Sequence, residues 1–108
     1  MNIIEKLNQL NEMKKGWHFG EGKEISNNIY EIAISLVKHI NNLGYSELDC
    51  FIGLNGEIMI TIYDDEKYVE ITINEDERFD YVYQVNNKDV LVQFDIDLDN
   101  CLNNLKNI

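Results

Sequence analysis

Residues 56–73, GEIMITIYDDEKYVEITI, carry the pattern that decides the fold. Ile58, Ile60 and Ile62 alternate with Glu57, Met59, Thr61 and Tyr63; after the polar link Asp64-Asp65-Glu66, Val69, Ile71 and Ile73 alternate with Tyr68, Glu70 and Thr72. A period of two puts the branched apolar residues on one face, which predicts two half-buried antiparallel strands joined by a tight turn. Toward the C-terminus, Phe79, Tyr81, Tyr83 and Val85 form a third alternating set, and Val90, Val92, Phe94 and Ile96 a fourth. Toward the N-terminus, residues 48–52 form a shorter strand ahead of an Asn55-Gly56 hairpin signal. The intervening links, residues 74–77 and 86–88, are short and polar, so a meander is the simplest topology.

On either side of the strands the period becomes 3.6. Ile3, Ile4, Leu7, Leu10 and Met13 predict a first helix over about residues 2–15. Ile25, Ile29, Ile32, Ala33, Leu36, Val37, Ile40 and Leu43 predict a longer second one. Ser26 fits its N-cap, with Ile25 and Tyr30 spaced as a hydrophobic staple. Gly44 is placed to end it, and Tyr45 to fold back toward Ile40. Leu98, Cys101, Leu102 and Leu105 predict a short C-terminal helix capped by Asp97. The expected fold is therefore α+β: two N-terminal helices on a four- to five-stranded antiparallel meander, then a short helix. At 108 residues, without prolines or low-complexity linkers, a single domain spanning residues 1–108 is expected.

The charge is divided along the chain. Residues 1–44 carry five Lys and five Glu, whereas residues 45–108 carry four Lys/Arg against fifteen Asp/Glu, so the net −11 belongs to the second half. Such a balance repels phosphate and disfavours direct nucleic-acid binding. No apolar run approaches the roughly 20 residues of a membrane span, and the N-terminal residues do not read as a signal peptide; a cytoplasmic protein without membrane contact is expected. Cys50 and Cys101 read as reduced thiols rather than a disulfide framework, Cys50 in the core.

Motifs for chemistry are weak. Asp95, Asp97 and Asp99 match the first three acids of a calcium loop, but Asn100 stands where that loop needs glycine and Lys106 where it needs glutamate; an acidic strand end capping a helix accounts for them better. The turns Asp64-Asp65-Glu66 and Glu75-Asp76-Glu77 should lie at opposite ends of a strand, roughly 23 Å apart, too far for one shared metal and suited to an extended negative surface. His18 and His39 have no metal-ligand spacing to cysteine or to each other. The glycines at 16, 20 and 22 match no phosphate loop; they should turn the chain between helices while Trp17 anchors the loop on the core. No metal, cofactor or catalytic residue is expected.

If the isoleucine face lies under the helices, Met59, Thr61, Tyr63, Tyr68 and Thr72 share the opposite face, where methionine and tyrosine suit protein contact. Trp17, the glycines at 20 and 22, Ile25-Ser26, Ala33, Leu36, Leu43-Gly44 and Gly56-Glu57-Ile58 together resemble a loose pattern of small uncharacterised bacterial and mobile-element proteins, over residues 15–73. The resemblance implies an αβ domain and supplies no catalytic residue; this chain lacks the proline which that pattern carries before the second helix.

The leading expectation is thus a non-enzymatic interaction protein of inhibitor, antitoxin, immunity or anti-defence type. It would dock on a larger, basic partner through Asp64, Asp65, Glu66, Glu75, Asp76, Glu77, Asp95, Asp97 and Asp99 and through the sheet-face residues Met59, Tyr63 and Tyr68. The alternatives are a nucleic-acid mimic using the same acids, a small enzyme or ligand-binding domain using the Trp17-His18 loop, and a homodimer through a strand edge or the aromatic face.

Overall fold

The computed structural model describes residues 2–18 and 20–108. Its order is α1 (Ile3–Asn11), α2 (Asn27–Asn42), β1 (Leu48–Ile52), β2 (Ile58–Asp64), β3 (Lys67–Ile73), β4 (Phe79–Val85), β5 (Lys88–Ile96) and α3 (Leu98–Lys106). The strands form one antiparallel sheet in the order β1-β2-β3-β4-β5, the expected meander with all five strands present.

The isoleucine alternation does what its period requires. Ile58, Ile60 and Ile62 pair with Ile73, Ile71 and Val69, and all six are buried. They join Phe79 and Tyr81 from β4, Leu7 and Leu10 from α1, five residues of α2, and Cys101 and Leu105 from α3 in one core. Cys50 and Cys101 are both fully buried free thiols, and burial pushes them up to about 11 and about 12 respectively.

Helix ends follow their local chemistry. Ser26 Oγ accepts from Ile29 N–H at 3.2 Å. At the other end Gly44 adopts φ +100°, its N–H donates to Asn41 O, and Tyr45 N–H donates to Ile40 O, the paired bonds of a Schellman motif. Asp97 Oδ1 accepts from Asn100 N–H at 2.9 Å to cap α3. Helix α1 is shorter than its periodicity suggests: Asn2 is the N-cap and Glu12 already the C-cap. Past it, the amides of Lys15 and Gly16 donate to Glu24 Oε1 and Gly22 O as the chain turns back, so they are withdrawn from helical bonding.

The hairpins differ in kind. Asn86 and Asn87 both have positive φ (51° and 63°), as a two-residue type I′ turn demands. Asn55-Gly56 also marks a hairpin, but within a five-residue loop: Gly53 N–H donates to Glu57 O, Gly56 N–H to Gly53 O, and Gly56 takes φ +83°. Residues 74–78 repeat that geometry, with Asn74 N–H to Arg78 O, Glu77 N–H to Asn74 O, and Glu77 at φ +68° where the first loop has glycine.

Strand β5 corrects the expectation of four alternating residues on one face. Its register with β4 shifts twice, at Val90 and at residues 94–95, where Asp95 has φ +56°. Leu91 and Ile96 consequently pack on the core, while Val90, Val92 and Phe94 are exposed, Phe94 to 69%. Arg78 holds the second shift: its Nε donates to Asp95 Oδ1 at 2.5 Å and its Nη2 to Asp95 O at 2.6 Å, while Asp95 N–H donates to Asp80 Oδ1.

Candidate protein-docking face

The buried residues of all three helices join the isoleucine side of the sheet, and the other side is open. Register places Phe51, Met59 and Thr72 in one row of that open face, Asp49, Thr61, Glu70, Val82 and Val92 in the next, and Tyr63, Tyr68 and Gln84 in a third. Met59, Tyr63 and Tyr68 thus share the open face, Met59 two rows away from the tyrosines. Tyr63 and Tyr68 are direct cross-strand partners whose rings lie 5.4 Å apart, tilted by 49°.

Thr61 departs from the expectation of an exposed residue. It is only 1% accessible because longer side chains surround it, Met59 and Tyr63 along its strand, Asp49 and Glu70 across from it, and its Oγ1 has no hydrogen-bond partner among the described residues. Three acids that sequence reasoning did not single out also stand on this face. Asp49 is tied to Lys6, which reaches round the β1 edge, placing Nζ 2.5 Å from Asp49 Oδ1 and 4.5 Å from the centre of the Phe51 ring. The Lys6 bond holds the Asp49 carboxyl below its ordinary value. Glu70 accepts from Tyr68 Oη at 2.9 Å. Burial, reinforced by that bond, raises the Tyr68 phenol well above its ordinary value. Asp80 is used by the β5 bulge. Phe51, Val82 and Glu70 were findable by strand parity; the exposure of Phe94 was not, because the bulge breaks its alternation with Ile96, which packs on the core.

The nine acids expected at the partner surface divide between the sheet ends. Asp64, Asp65 and Glu66 lie at the β2–β3 turn, and among the described residues their side chains make no ion pair or hydrogen bond. Glu75, Asp76, Glu77, Asp95, Asp97 and Asp99 lie at the other end, where most are already engaged. Glu75 pairs with Lys23 at 3.3 Å, Asp76 Oδ1 accepts from Arg78 N–H, Asp95 is bound by Arg78, and Asp97 caps α3. The first cluster is the one in which all three carboxylates lack a partner among the described residues.

That cluster borders a cleft. Tyr45, Ser46, Glu47, Tyr63, Asp64 and Asp65, with Gly44, line a polar depression of about 320 Å3. The Schellman exit of α2 delivers Tyr45 and Ser46 to it, and Tyr63 N–H donates to Glu47 O, which fixes the segment after α2 against the end of β2. The result is three carboxylates and two phenol rings around one hollow, contiguous through Tyr63 with the open face. Among the described residues, no group of three or more His, Cys, Asp or Glu side chains could hold a metal ion.

The glycine loop has a different arrangement from the one expected. Trp17 packs inside the loop rather than on the core: its Nε1 donates to Lys23 O at 2.9 Å, its ring meets that of His18 edge-on at 5.8 Å, and Gly22 lies against it so closely that a Cβ there would come within 2.6 Å. Neither Trp17 nor His18 lines the cleft beside Tyr63. Among the described residues, no helix is long and apolar enough to cross a membrane. No protein family, curated protein or solved structure matches this chain, and the likeness to mobile-element proteins rests on the sequence pattern alone.

Proposed function

We infer that this chain is a non-enzymatic docking module of the cytoplasm that binds a larger, basic protein, in the manner of a small inhibitor, antitoxin, immunity or anti-defence protein. The observation that carries the reading is the acidic, tyrosine-lined cleft at the corner of the open sheet face. Among the described residues Glu47, Asp64 and Asp65 have no cation paired with them, and Tyr45 and Tyr63 offer ring faces beside them. A Lys or, better, a planar Arg side chain satisfies such a site, by charge-assisted bonds to the carboxylates and by stacking on a phenol. Apolar contact with Tyr63, Phe51, Val92 and Phe94 then supplies the drier centre that a protein interface needs around its charged anchor.

Nucleic-acid mimicry is the less favoured form of the same idea. Lys23 and Arg78 stand inside the acidic cluster at the far end, so the carboxylates there do not make an uninterrupted negative row. Against a small enzyme or binding domain built on Trp17 and His18, the indole N–H is already used by the Lys23 carbonyl.

The test is an NMR titration of the labelled protein with a short Arg-containing peptide, repeated at about 0.1 M and about 1 M salt, where the screening length falls from about 10 Å to about 3 Å. Shifts should centre on residues 44–47 and 63–65, weaken at high salt and vanish in a Glu47→Gln/Asp64→Asn/Asp65→Asn variant. Shifts spread over all acids alike, or centred on Trp17 and His18, would refute the reading.

A further inference from the structure

Beside the acidic cleft the β1 edge carries a second seat for a cation, and that seat is filled from within the chain. Tyr63 N–H donates to Glu47 O, and Asp49 and Phe51 pair with Thr61 and Met59, so Glu47, Asp49 and Phe51 follow one another along the open face. Two residues of extended chain span about 7 Å, which sets Asp49 one step beyond the carboxylate that lines the cleft. Asp49 and Phe51 repeat the chemistry of the cleft, a carboxylate next to an aromatic ring. The seat is preformed, because Cys50 N–H donates to Asp49 Oδ1 at 2.8 Å and orients the carboxylate. The ammonium of Lys6 sits in it, 2.5 Å from that oxygen and 4.5 Å from the centre of the Phe51 ring. It is also open to solvent: the Lys6 and Asp49 side chains are 33% and 39% exposed, and Phe51 43%. The flexible Lys6 stem can swing out while α1 stays anchored through Leu7 and Leu10.

We propose that the seat at Asp49 and Phe51 receives a basic side chain of the partner, that Lys6 is its built-in competitor, and that the protein therefore selects a segment with two basic residues about 7 Å apart. One of them enters the cleft at Glu47, Asp64 and Asp65, and the other displaces Lys6. Residues i and i+2 of an extended segment meet that spacing, as do i and i+4 of a helix, about 6 Å apart. The inference rests on the cleft being a cation site and adds to it a second anchor, a spacing and an internal gate. Arginine is the better displacing group, since its planar fork binds a carboxylate and stacks on a ring at once. An exposed ion pair favours its closed state by no more than about fivefold. Lys6 thus lowers the apparent affinity of the seat by about that factor without shutting it.

The experiment is an NMR titration of the labelled protein with the acetylated, amidated peptide Arg-Ala-Arg at about 0.1 M salt, where charges beyond about 10 Å are screened. It compares the wild type with Lys6→Met and with Lys38→Met, an exposed lysine of α2 whose loss changes the net charge equally. Lys6→Met should bind the peptide about fivefold more tightly than wild type, with shifts at residues 49–51 added to those at 44–47 and 63–65, and Lys38→Met should bind as wild type does. Adding Phe51→Leu to Lys6→Met alters no charge and should lose about twofold or more. Circular dichroism of each variant confirms the fold. Equal affinity in Lys6→Met and wild type would overturn the proposal, as would an equal gain in Lys38→Met or a gain without shifts at 49–51. Cleft shifts that ignore Lys6 would refute the second anchor alone; shifts at 49–51 with none at the cleft in any variant would refute the cleft and, with it, the two-residue spacing.

Discussion

Replacing Tyr81 by phenylalanine should make the protein more stable. The ring is 1% accessible and packed in the core, yet its hydroxyl has no hydrogen-bond partner among the described residues, and burial raises the phenol well above its ordinary value. A buried hydroxyl without a partner costs about 1–3 kcal/mol relative to water. Phenylalanine keeps the ring and removes that cost, losing a few tenths of a kcal/mol of dispersion from the missing oxygen. The net gain should be about 1 kcal/mol, which for a chain of this length is about 4 °C in Tm and about 0.5–1 M in the urea midpoint. Thr61→Val should act in the same direction for the same reason, since Thr61 Oγ1 is equally buried and unpartnered. The two residues point to opposite faces of the sheet, so the gains should add within about 0.5 kcal/mol. Urea unfolding followed by far-UV dichroism measures both. A Tyr81→Phe variant less stable than wild type by about 0.5 kcal/mol or more would refute the reasoning, since the hydroxyl must then be bonded.

Glu77 occupies the left-handed position that Gly56 fills in the equivalent hairpin loop, so Glu77→Gly should raise stability by up to about 1 kcal/mol in urea titration. Gly22→Ala should cost about 2 kcal/mol, because φ +100° strains an alanine and its Cβ strikes the Trp17 ring; tryptophan fluorescence should shift to the red while far-UV dichroism is retained. Both cysteines titrate higher folded than unfolded, so the folded state holds their protons longer and stability must fall as pH rises from about 9 toward 11–12. Urea midpoints at pH 7, 9 and 10.5 should fall slightly across the first interval, because half of each unfolded thiol is already ionised at pH 9, and more steeply across the second, with a shallower fall in Cys101→Ala. Lys6→Met should cost less than about 1 kcal/mol, since the Asp49 pair is partly exposed, and should move the Asp49 pKa upward in an NMR titration.

Much of this architecture is legible in the residues because pattern and packing agree. The isoleucine alternation, the Ser26 and Asp97 caps and the Gly44-Tyr45 exit each act within a few residues, and each appears where its chemistry puts it. The misreadings arise where a distant group decides. Helix α1 stops early because Glu24 and Gly22 take the amides of Lys15 and Gly16. Phe94 is exposed while Ile96 packs on the core because Arg78 and Asp80 stabilise an extra residue between them in β5. The acidic cleft was half visible: Asp64, Asp65 and Tyr63 could be named, but Tyr45 and Glu47 join them only through the path the chain takes after α2.

The two register shifts in β5 bear on how the protein survives at high concentration. Val90-Leu91-Val92-Gln93-Phe94 is apolar, rich in strand-forming residues and free of proline, and it lies at the margin of the sheet with no strand beyond it. Such a segment would ordinarily recruit its like and grow into fibres, given six or seven residues in regular extension. Here only residues 91–93 keep an undistorted register, and Asp89 and Asp95 flank them. The chain can therefore display valine and phenylalanine to a partner without offering the continuous template that amyloid requires.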